Sequence, residues 1–290
     1  MKNAIKSLCL SILVSCCTCA YADTQSLLDE VKKSGVVNVG MSCEVAPFSY
    51  RDADKNIVGF DVDIARAVVK KLEAYTVSPV KMKIVQVTDE TRISWVKSGQ
   101  VDMSVSCIND TRKRQEQIDF SVPYFWDGKG IMYDLKNGPK DIADFAGKTI
   151  GFKRASSSEG EIQRFFEEKG LNKPVLKAYD NHTAGIKALV DGQIDGFTDD
   201  NSIIINTAML MEIKVGPGKS LDVTKTPYSP AHFGIGLREN DSKWRKVINY
   251  CLHDLWLSGE YQAIYKKWFG PNSNCPIPLG SNGMEPYVKG

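Results

Sequence analysis

Residues 98–125 carry a strand pattern, a polar turn and a short basic helix pattern in immediate succession. The strand is predicted by three apolar residues at every second position, Val101, Met103 and Val105. It ends at Cys107 and Asn109, and a helical turn that contains Arg114 follows. Open α/β sheets bind ligands at the carboxyl ends of their strands, and the free N–H groups of a helical turn favour anions. This corner therefore suits a carboxylate, although a solvated basic helix start would give the same pattern.

Strand and helix patterns alternate in the same way along the preceding residues. Apolar runs at 36–41 and 82–87 predict strands, and residues 59–72 between them show the spacing of an amphipathic helix. Two acidic residues at the start of this helix, Asp61 and Asp63, are expected to complement the helix dipole. The alternation predicts an α/β fold with doubly wound sheets.

A short sequence that occurs twice indicates two similarly built halves. Residues 99–102 read Gly-Gln-Val-Asp and residues 192–195 read Gly-Gln-Ile-Asp, each after an apolar helix ending and before a strand pattern. The second half also repeats the order of strand, polar turn and helix, with its strand at 149–153. The sequence therefore predicts two doubly wound α/β lobes.

The order of the elements suggests where one lobe ends and the other begins. We assign residues 23–127 and 230–290 to lobe I and residues 128–229 to lobe II. Residues 126–132 and 226–234 are predicted to form paired strands that cross between the lobes. Two lobes joined by two strands can close over a ligand as a hinge.

The first 22 residues have the layout of a secretory signal peptide. Lys2 and Lys6 precede an apolar centre, and Ala-Tyr-Ala ends the segment, so we place the mature start at Asp23. A bacterial lipobox that ends at Cys16 is the alternative, and it would tether the protein through a lipid. No later apolar run approaches the ~18 residues that span a bilayer, so we expect an exported protein that is either soluble or tethered by a lipid.

Charge and motifs exclude several function classes. The chain of 290 residues has 37 Lys and Arg against 35 Asp and Glu, and removal of the signal peptide balances them, whereas a nucleic-acid binder is normally more basic. The sequence lacks a P-loop, a dinucleotide-binding fingerprint and a nucleophile elbow, so we expect no cofactor. The mature chain also lacks a Cys-x-x-Cys pair, so we expect no metal site.

Half of the eight cysteines lie in the signal peptide, which leaves Cys43, Cys107, Cys251 and Cys275. Four cysteines in an oxidising compartment suggest pairing. We predict a Cys251–Cys275 disulfide that holds the tail to the body. Cys43 and Cys107 both follow strand patterns, and they are expected either to form a second bridge or to stay as buried thiols.

Several short motifs, which are specific only in combination, extend over nearly the whole mature chain. They are Pro47-Phe48-Ser49-Tyr50, Gly59-Phe60-Asp61-Val62-Asp63, Ser98-Gly99-Gln100-Val101-Asp102, Asp119-Phe120-Ser121-Val122-Pro123-Tyr124-Phe125, Gly147-Lys148-Thr149-Ile150-Gly151 and Lys267-Trp268-Phe269-Gly270. With them the chain resembles the bacterial periplasmic solute-binding proteins for polar amino acids, the receptors of ABC importers. The tail Cys275-Pro276-Ile277-Pro278 is similar to the glutamate/aspartate-binding branch. The resemblance implies the type II fold of periplasmic binding proteins, a monomer, and an ABC permease as partner.

The resemblance also implies a role for each residue that matches the family's binding site. Arg114 would pair with the ligand α-carboxylate, helped by the backbone at Asn109 and by Ser157 from the other lobe. Asp200 would receive the α-ammonium group, with the Cys107 carbonyl as a second acceptor. Burial of a zwitterion requires such opposite charges and hydrogen bonds. On the residues alone, Asp200 is nearly as well explained as the N-cap of the helix that follows it.

Two further positions match residues that grip the side-chain carboxylate of acidic ligands. These are Arg92 and His182. Arg92 has an alternative, an ion pair with Asp89 or Glu90, and His182 has one too, as a cap of its own helix.

Two departures from the family pattern bear on the ligand. An arginine of the family is replaced here near Ser42, and the family's Gly-Thr-Thr reads Ala155-Ser156-Ser157 in this chain, so that Ser156 joins the candidate ligand-binding residues. We expect an acidic amino acid as first choice and another small carboxylate as an alternative.

An enzyme on the same fold is the rival hypothesis. Periplasmic cyclohexadienyl dehydratases resemble these receptors and use a carboxylate in the cleft as a general acid. Glu44 or Glu159 would serve that role here. Ser157, His182 and Asp200 are interpreted as a polar binding set rather than a catalytic triad.

Overall fold

The computed structural model describes residues 25–137, 141–273, 275–277 and 279. The predicted signal peptide at 1–22 and the lipobox cysteine Cys16 lie outside the described residues. No helix of the described residues is both long enough and apolar enough to span a membrane.

Strands and helices alternate along the described chain. The strands are β1 (Val36–Met41), β2 (Glu44–Val45), β3 (Ser49–Arg51), β4 (Ile57–Val58), β5 (Lys81–Gln86), β6 (Met103–Ser104), β7 (Asp119–Phe120), β8 (Phe125–Asp134), β9 (Thr149–Lys153), β10 (Val175–Tyr179), β11 (Gly196–Asp200), β12 (Leu221–Val223), β13 (Ser229–Phe233) and β14 (Gly236–Leu237). The helices are α1 (Leu27–Ser34), α2 (Phe60–Thr76), α3 (Arg92–Ser98), α4 (Arg112–Gln115), α5 (Ser158–Glu168), α6 (His182–Val190), α7 (Asn201–Leu210), α8 (Ser242–Leu257) and α9 (Glu260–Phe269), with a 3-10 turn at Ile142–Phe145.

Two mixed sheets form the centres of two lobes. The sheet of lobe I has the order β5-β1-β6-β14-β7, in which β5, β1 and β6 are parallel and β14 is antiparallel to β6. The sheet of lobe II has the order β10-β9-β11-β8-β12, with β13 also paired to β8. The prediction of an α/β fold with two lobes is confirmed.

Strands β8 and β13 pair as antiparallel neighbours at the junction of the two sheets. Their register runs from Phe125 opposite Phe233 to Lys129 opposite Ser229. Beyond Lys129, β8 continues into the lobe II sheet, where it pairs with β11 and β12. The lobe boundaries at residues 127–128 and 229–230 stay a prediction.

Lobe I is built on a cluster of aromatic rings. Phe125 of β8 packs on Phe269 of α9 with ring centroids 4.8 Å apart, and Phe48 lies 5.0 Å from Phe125. Gly59 is required at the start of α2, because a Cβ there would lie 2.0 Å from the Phe48 carbonyl oxygen and its φ is 142°. The chain thereby reaches the cluster closely enough for Phe60 to join it.

The repeated Gly-Gln-x-Asp sequence occupies equivalent places in the two lobes. Gly99 and Gly192 both adopt left-handed φ values, 75° and 71°. Gly99 directly follows α3, and Gly192 follows α6 after one intervening residue. Asp102 then accepts a hydrogen bond from the Asn38 N–H at 2.6 Å, and Asp195 accepts one from the Thr149 N–H at 2.8 Å. Each aspartate thus fixes the early strand of its own sheet, so the repeat reflects a shared construction.

The predicted Cys251–Cys275 disulfide is wrong in this structure. All four cysteines of the described residues are buried free thiols. Cys251 lies on α8 near Asp254 and Lys71, whereas Cys275 lies near Asp127 and the Asn206 side chain of α7. The two thiols therefore have different surroundings, and burial raises the pKa of both to about 12.

Candidate functional site

A closed cleft lies where the carboxyl ends of strands from both sheets meet. It encloses a cavity of about 20 Å³, close to the room that one water molecule needs. The cavity is lined by Val45, Asp89, Arg92, Ser106, Cys107, Asn109, Ser156, His182, Asp199, Asp200 and Ile203. A ligand of amino-acid size therefore requires the lobes to separate.

Arg114 is the third residue of the short helix α4, on the lobe I side of the cleft. Its Nη1 donates to the Asn109 carbonyl oxygen at 3.0 Å. Desolvation and the nearby Arg92 charge lower the pKa of Arg114 to about 10, so the guanidinium stays charged at neutral pH. No carboxylate of the described residues comes within ion-pair distance of it, which leaves a mostly buried cation open to a partner.

Asn109 connects the two lobes across the cleft. The Ser157 hydroxyl, from the start of α5, donates to the Asn109 side-chain oxygen at 3.3 Å. The Asn109 amide nitrogen in turn donates to the Asp200 carboxylate at 3.5 Å. Arg114 and Ser157 do not line the cavity themselves, but both are attached to it through Asn109.

Two adjacent carboxylates at the end of β11 face a fully buried lysine. The Lys129 Nζ lies 2.9 Å from Asp200 Oδ1 and 3.1 Å from Asp199 Oδ1. Burial alone would lower the pKa of Lys129, but the charges of Asp200 and Asp199 raise it above its ordinary value. Sequence reasoning missed both Lys129 and Asp199. The available signal was a lysine between two glycines in a strand expected to cross between the lobes.

Asp199 and Asp200 are affected differently by this lysine. Burial would raise the pKa of Asp199, but Lys129 and His182 hold it well below its usual range. The pKa of Asp200 is raised, because burial and the Asp199 charge outweigh the one shared lysine.

The Asp200 side chain does not cap the helix that follows it, although the sequence offered this alternative. Asp200 precedes α7, but its side chain makes no capping bond. The cap is supplied from β8, where the Asp127 carboxylate accepts from the Ser202 N–H at 3.0 Å. The Asp200 carboxylate is therefore available to the cleft.

His182 lines the cavity from the first turn of α6. Its Nε2 lies 2.9 Å from Asp199 Oδ2. The helix is capped by the preceding Asn181, whose side chain accepts from the Ala184 N–H at 2.8 Å. The alternative in which His182 caps its own helix is thus wrong, and the imidazole is oriented by Asp199.

Arg92 has the partner that the sequence offered as an alternative. Its Nη1 lies 3.0 Å from Asp89 Oδ1 and donates to the Ser106 carbonyl oxygen at 2.7 Å. Lys153 of lobe II also pairs with Asp89, so this carboxylate joins the lobes. Burial opposes ionisation of Asp89, but Arg92 and Lys153 lower its pKa. The Arg92 Nε has no hydrogen-bond partner among the described residues.

Cys107 is held at the cleft by a buried carboxylate of α2. Its φ is 49°, and its N–H donates to the Asp61 carboxylate at 2.9 Å. The Tyr124 hydroxyl donates to the other oxygen of Asp61 at 3.0 Å. Burial raises the pKa of Asp61 to about 6, against these hydrogen bonds. Asp61, which was expected to complement the helix dipole, therefore also accepts hydrogen bonds from the Cys107 backbone and from Tyr124.

The structure brings six of the eight candidate residues to one cavity: Arg92, Cys107, Asn109, Ser156, His182 and Asp200. Ser156 also accepts from the Ser158 N–H at 3.3 Å and thereby shapes the start of α5. Glu44 and Glu159, the candidate general acids, are exposed and do not line the cavity.

Two α/β lobes around a charged cleft are the architecture of type II solute-binding proteins. The chain belongs to the bacterial extracellular solute-binding proteins, family 3, whose sequence model matches residues 37–271. The resemblance found in the motifs is thereby confirmed.

Relatives of this chain carry the names of receptors with different ligands. The glutamate/aspartate import solute-binding protein of Escherichia coli (strain K12) is 26% identical over 277 residues, which cover 95% of this chain and 89% of that protein. An ABC transporter glutamine-binding protein of Bacillus subtilis (strain 168) is 27% identical over 244 residues, covering 83% and 84%. A crystal structure of the ancestral amino acid-binding protein AncCDT-1, a precursor of cyclohexadienyl dehydratase, has a TM-score of 0.70 at 25% identity and covers 84% of this chain and 100% of that chain. Family membership alone therefore does not select a ligand.

Proposed function

We propose that this protein captures a polar amino acid, with an acidic amino acid as first candidate, and delivers it to an ABC permease. Arg114 carries the proposal. A mostly buried guanidinium whose described partner is a single carbonyl oxygen is suited to pair with a ligand carboxylate. The Asn109 backbone and the Ser157 hydroxyl flank that position from the two lobes.

The α-ammonium group of the ligand is assigned to Asp200, with the Cys107 carbonyl as a second acceptor. Asp200 lines the cavity, and its side chain is not used as a helix cap. Buried charges of a zwitterion each need an opposite charge nearby.

An acidic ligand side chain would lie toward Arg92, His182 and Ser156. All three line the cavity, and the Arg92 Nε lacks a described partner. Arg92 already pairs with Asp89, so the ligand carboxylate would share this arginine with Asp89. The preference for an acidic ligand is therefore a separate and more specific part of the proposal than amino-acid binding.

Binding would proceed through lobe opening and closure about the paired strands β8 and β13. A cavity of about 20 Å³ does not hold an amino acid. Entry would separate Lys153 from Asp89 and Ser157 from Asn109, and the ligand would then supply new partners between the lobes. Such closure is a known hinge motion of two-lobe binding proteins.

The proposal also covers place and partner. We infer export to the periplasm with cleavage after Ala22, or lipid attachment at Cys16 if the lipobox is processed. The receptor would act as a monomer and present its closed form to the permease. No cofactor or metal is part of the proposal.

A thermal-shift screen over the amino acids and small dicarboxylates tests the ligand class, because a ligand that binds only the native state raises its stability. We expect glutamate or aspartate to raise the melting temperature more than glutamine or asparagine does. A shift by neutral or basic amino acids alone would contradict the acidic assignment and leave the receptor function intact. No shift by any of these compounds would contradict the amino-acid proposal.

The dehydratase alternative rests on the likeness to AncCDT-1. The candidate general acids of this chain, Glu44 and Glu159, are exposed and do not line the cavity. Incubation with prephenate or arogenate, followed by detection of the aromatic product, separates the two functions. Turnover would replace the receptor proposal by an enzymatic one.

A further inference from the structure

Lys129 stands out in the crossing strand β8 because its side chain is fully buried. Neither neighbour leaves room for a side chain: a Cβ at Gly128 would lie 2.4 Å from Pro227, and a Cβ at Gly130 would lie 2.4 Å from Asn201. The two glycines let the strand lie close to its neighbours and direct the lysine to the end of β11.

The Lys129 ammonium group already pairs with Asp200, the carboxylate assigned to the α-ammonium group of the ligand. Its shorter contact, 2.9 Å, is to Asp200 Oδ1, which also accepts from Asn109. Asp199 has further partners of its own, since the Ser158 hydroxyl donates to it at 2.9 Å and His182 lies 2.9 Å away. A ligand ammonium group at Asp200 would therefore be the second cation on this carboxylate.

We propose that Lys129 is a specificity-determining residue that reduces the dependence of the cleft on a ligand α-ammonium group. The inference rests on the proposed function and refines its ligand class. The Lys129 charge attenuates the attraction of Asp200 for a second cation, and at about 3 Å between charges such an effect is large in a desolvated site. Carboxylate recognition by Arg114 is unaffected. The cleft thus takes small dicarboxylates without an amino group nearly as tightly as the matching amino acid.

Titration calorimetry with L-glutamate, 2-oxoglutarate and glutarate measures this directly. The three acids share a five-carbon dicarboxylate chain and differ at the α-carbon. For the wild-type protein we expect dissociation constants for the three within about tenfold of one another, the factor that corresponds to about 1.4 kcal/mol.

Two variants show whether Lys129 is the cause. Lys129→Met leaves both aspartates without their buried cation, and it risks misfolding. The double variant Lys129→Met, Asp199→Asn removes one positive and one negative charge together and leaves Asp200 to the ligand. In the double variant we expect the preference for L-glutamate over glutarate to rise at least tenfold. Lys136→Met, which changes an exposed lysine just beyond β8, is the matched control and should leave the ratio unchanged.

The outcomes separate this inference from the proposed function. A wild-type preference for L-glutamate of more than tenfold overturns the inference and leaves the amino-acid receptor standing. An unchanged ratio in a folded double variant overturns the role of Lys129. If none of the three acids binds, the inference fails together with the acidic part of the proposed function.

Discussion

Each lobe has a buried carboxylate beside the cleft, and the two carboxylates are stabilised by different kinds of partner. In lobe I, Asp61 accepts hydrogen bonds from the Cys107 N–H and the Tyr124 hydroxyl, both uncharged donors. In lobe II, Asp199 lies against the Lys129 ammonium group and the His182 imidazole. Burial dominates in the first case and raises the pKa of Asp61 to about 6. In the second case the Lys129 charge and the His182 hydrogen bond dominate and lower the pKa of Asp199. The same residue type thus has opposite effects on stability as the pH changes.

The largest expected effect comes from the lobe II carboxylate. Asp199→Ala leaves the fully buried Lys129 with one carboxylate instead of two and removes the partner of His182. Loss of one partner of a buried ion pair costs about 3–5 kcal/mol. We expect the free energy of unfolding, measured by urea denaturation, to fall by that amount.

Asp191→Ala is the matched control for this measurement. Asp191 pairs with Lys187 on the exposed face of α6, where an ion pair contributes about 0–1 kcal/mol. Equal losses in the two variants would mean that the buried network of lobe II adds nothing beyond a surface pair.

The next effect concerns ligand affinity on the lobe I side. Arg114→Ala removes the cation assigned to the ligand carboxylate, and we expect affinity to fall by about 2–5 kcal/mol with an unchanged far-UV spectrum. Arg112→Ala is the control: this exposed arginine lies two residues earlier in the same helical turn, and the variant should keep wild-type affinity. Near-wild-type binding by a folded Arg114→Ala protein would place the carboxylate elsewhere.

The pH dependence of stability tests the contrast between the two carboxylates. The folded-state pKa of Asp61 lies above that of an unfolded aspartate, so the native state holds this proton longer and stability falls as the pH rises from about 4 to 6. The difference between a pKa of about 6 and that of an ordinary aspartate corresponds to about 3 kcal/mol. Asp199 has the opposite sign: its contribution is present above the unfolded pKa and is lost only as the pH falls through its lowered folded pKa.

Denaturation of wild type and Asp61→Asn between pH 4 and pH 8 measures the Asp61 contribution. The fall in stability between pH 4 and 6 should shrink in the variant. Tyr124→Phe removes a hydrogen bond that lowers the pKa of Asp61, so the fall should extend to higher pH. Identical pH profiles for wild type and Asp61→Asn would contradict a raised pKa.

The positions of the lobe I residues of the candidate site were predictable because these residues are close in sequence. Cys107, Asn109 and Arg114 follow one strand, and the hydrophobic pattern that predicts this strand also predicts where they lie. The charge network of lobe II joins Lys129 to residues about 70 positions later, and the sequence pattern carries no information on that pairing. The Cys251–Cys275 prediction failed for the same reason, since nearness along the chain said nothing about the different surroundings of the two thiols.

The repeated Gly-Gln-x-Asp sequence gives the smallest expected effect and compares the lobes under matched chemistry. Asp102 is partly buried and accepts from both the Asn38 N–H at 2.6 Å and the Asn38 side chain at 3.1 Å. Asp195 is exposed and accepts from the Thr149 N–H at 2.8 Å. Hydrogen bonds to a charged group contribute about 1.5–3 kcal/mol, and water can replace the lost acceptor only at the exposed site. We expect Asp102→Ala to lower the free energy of unfolding by about 1.5–3 kcal/mol and Asp195→Ala by about 1 kcal/mol or less. Urea denaturation of the two variants side by side measures the difference, and a larger loss for Asp195→Ala would show that exposure does not set the strength of this shared contact.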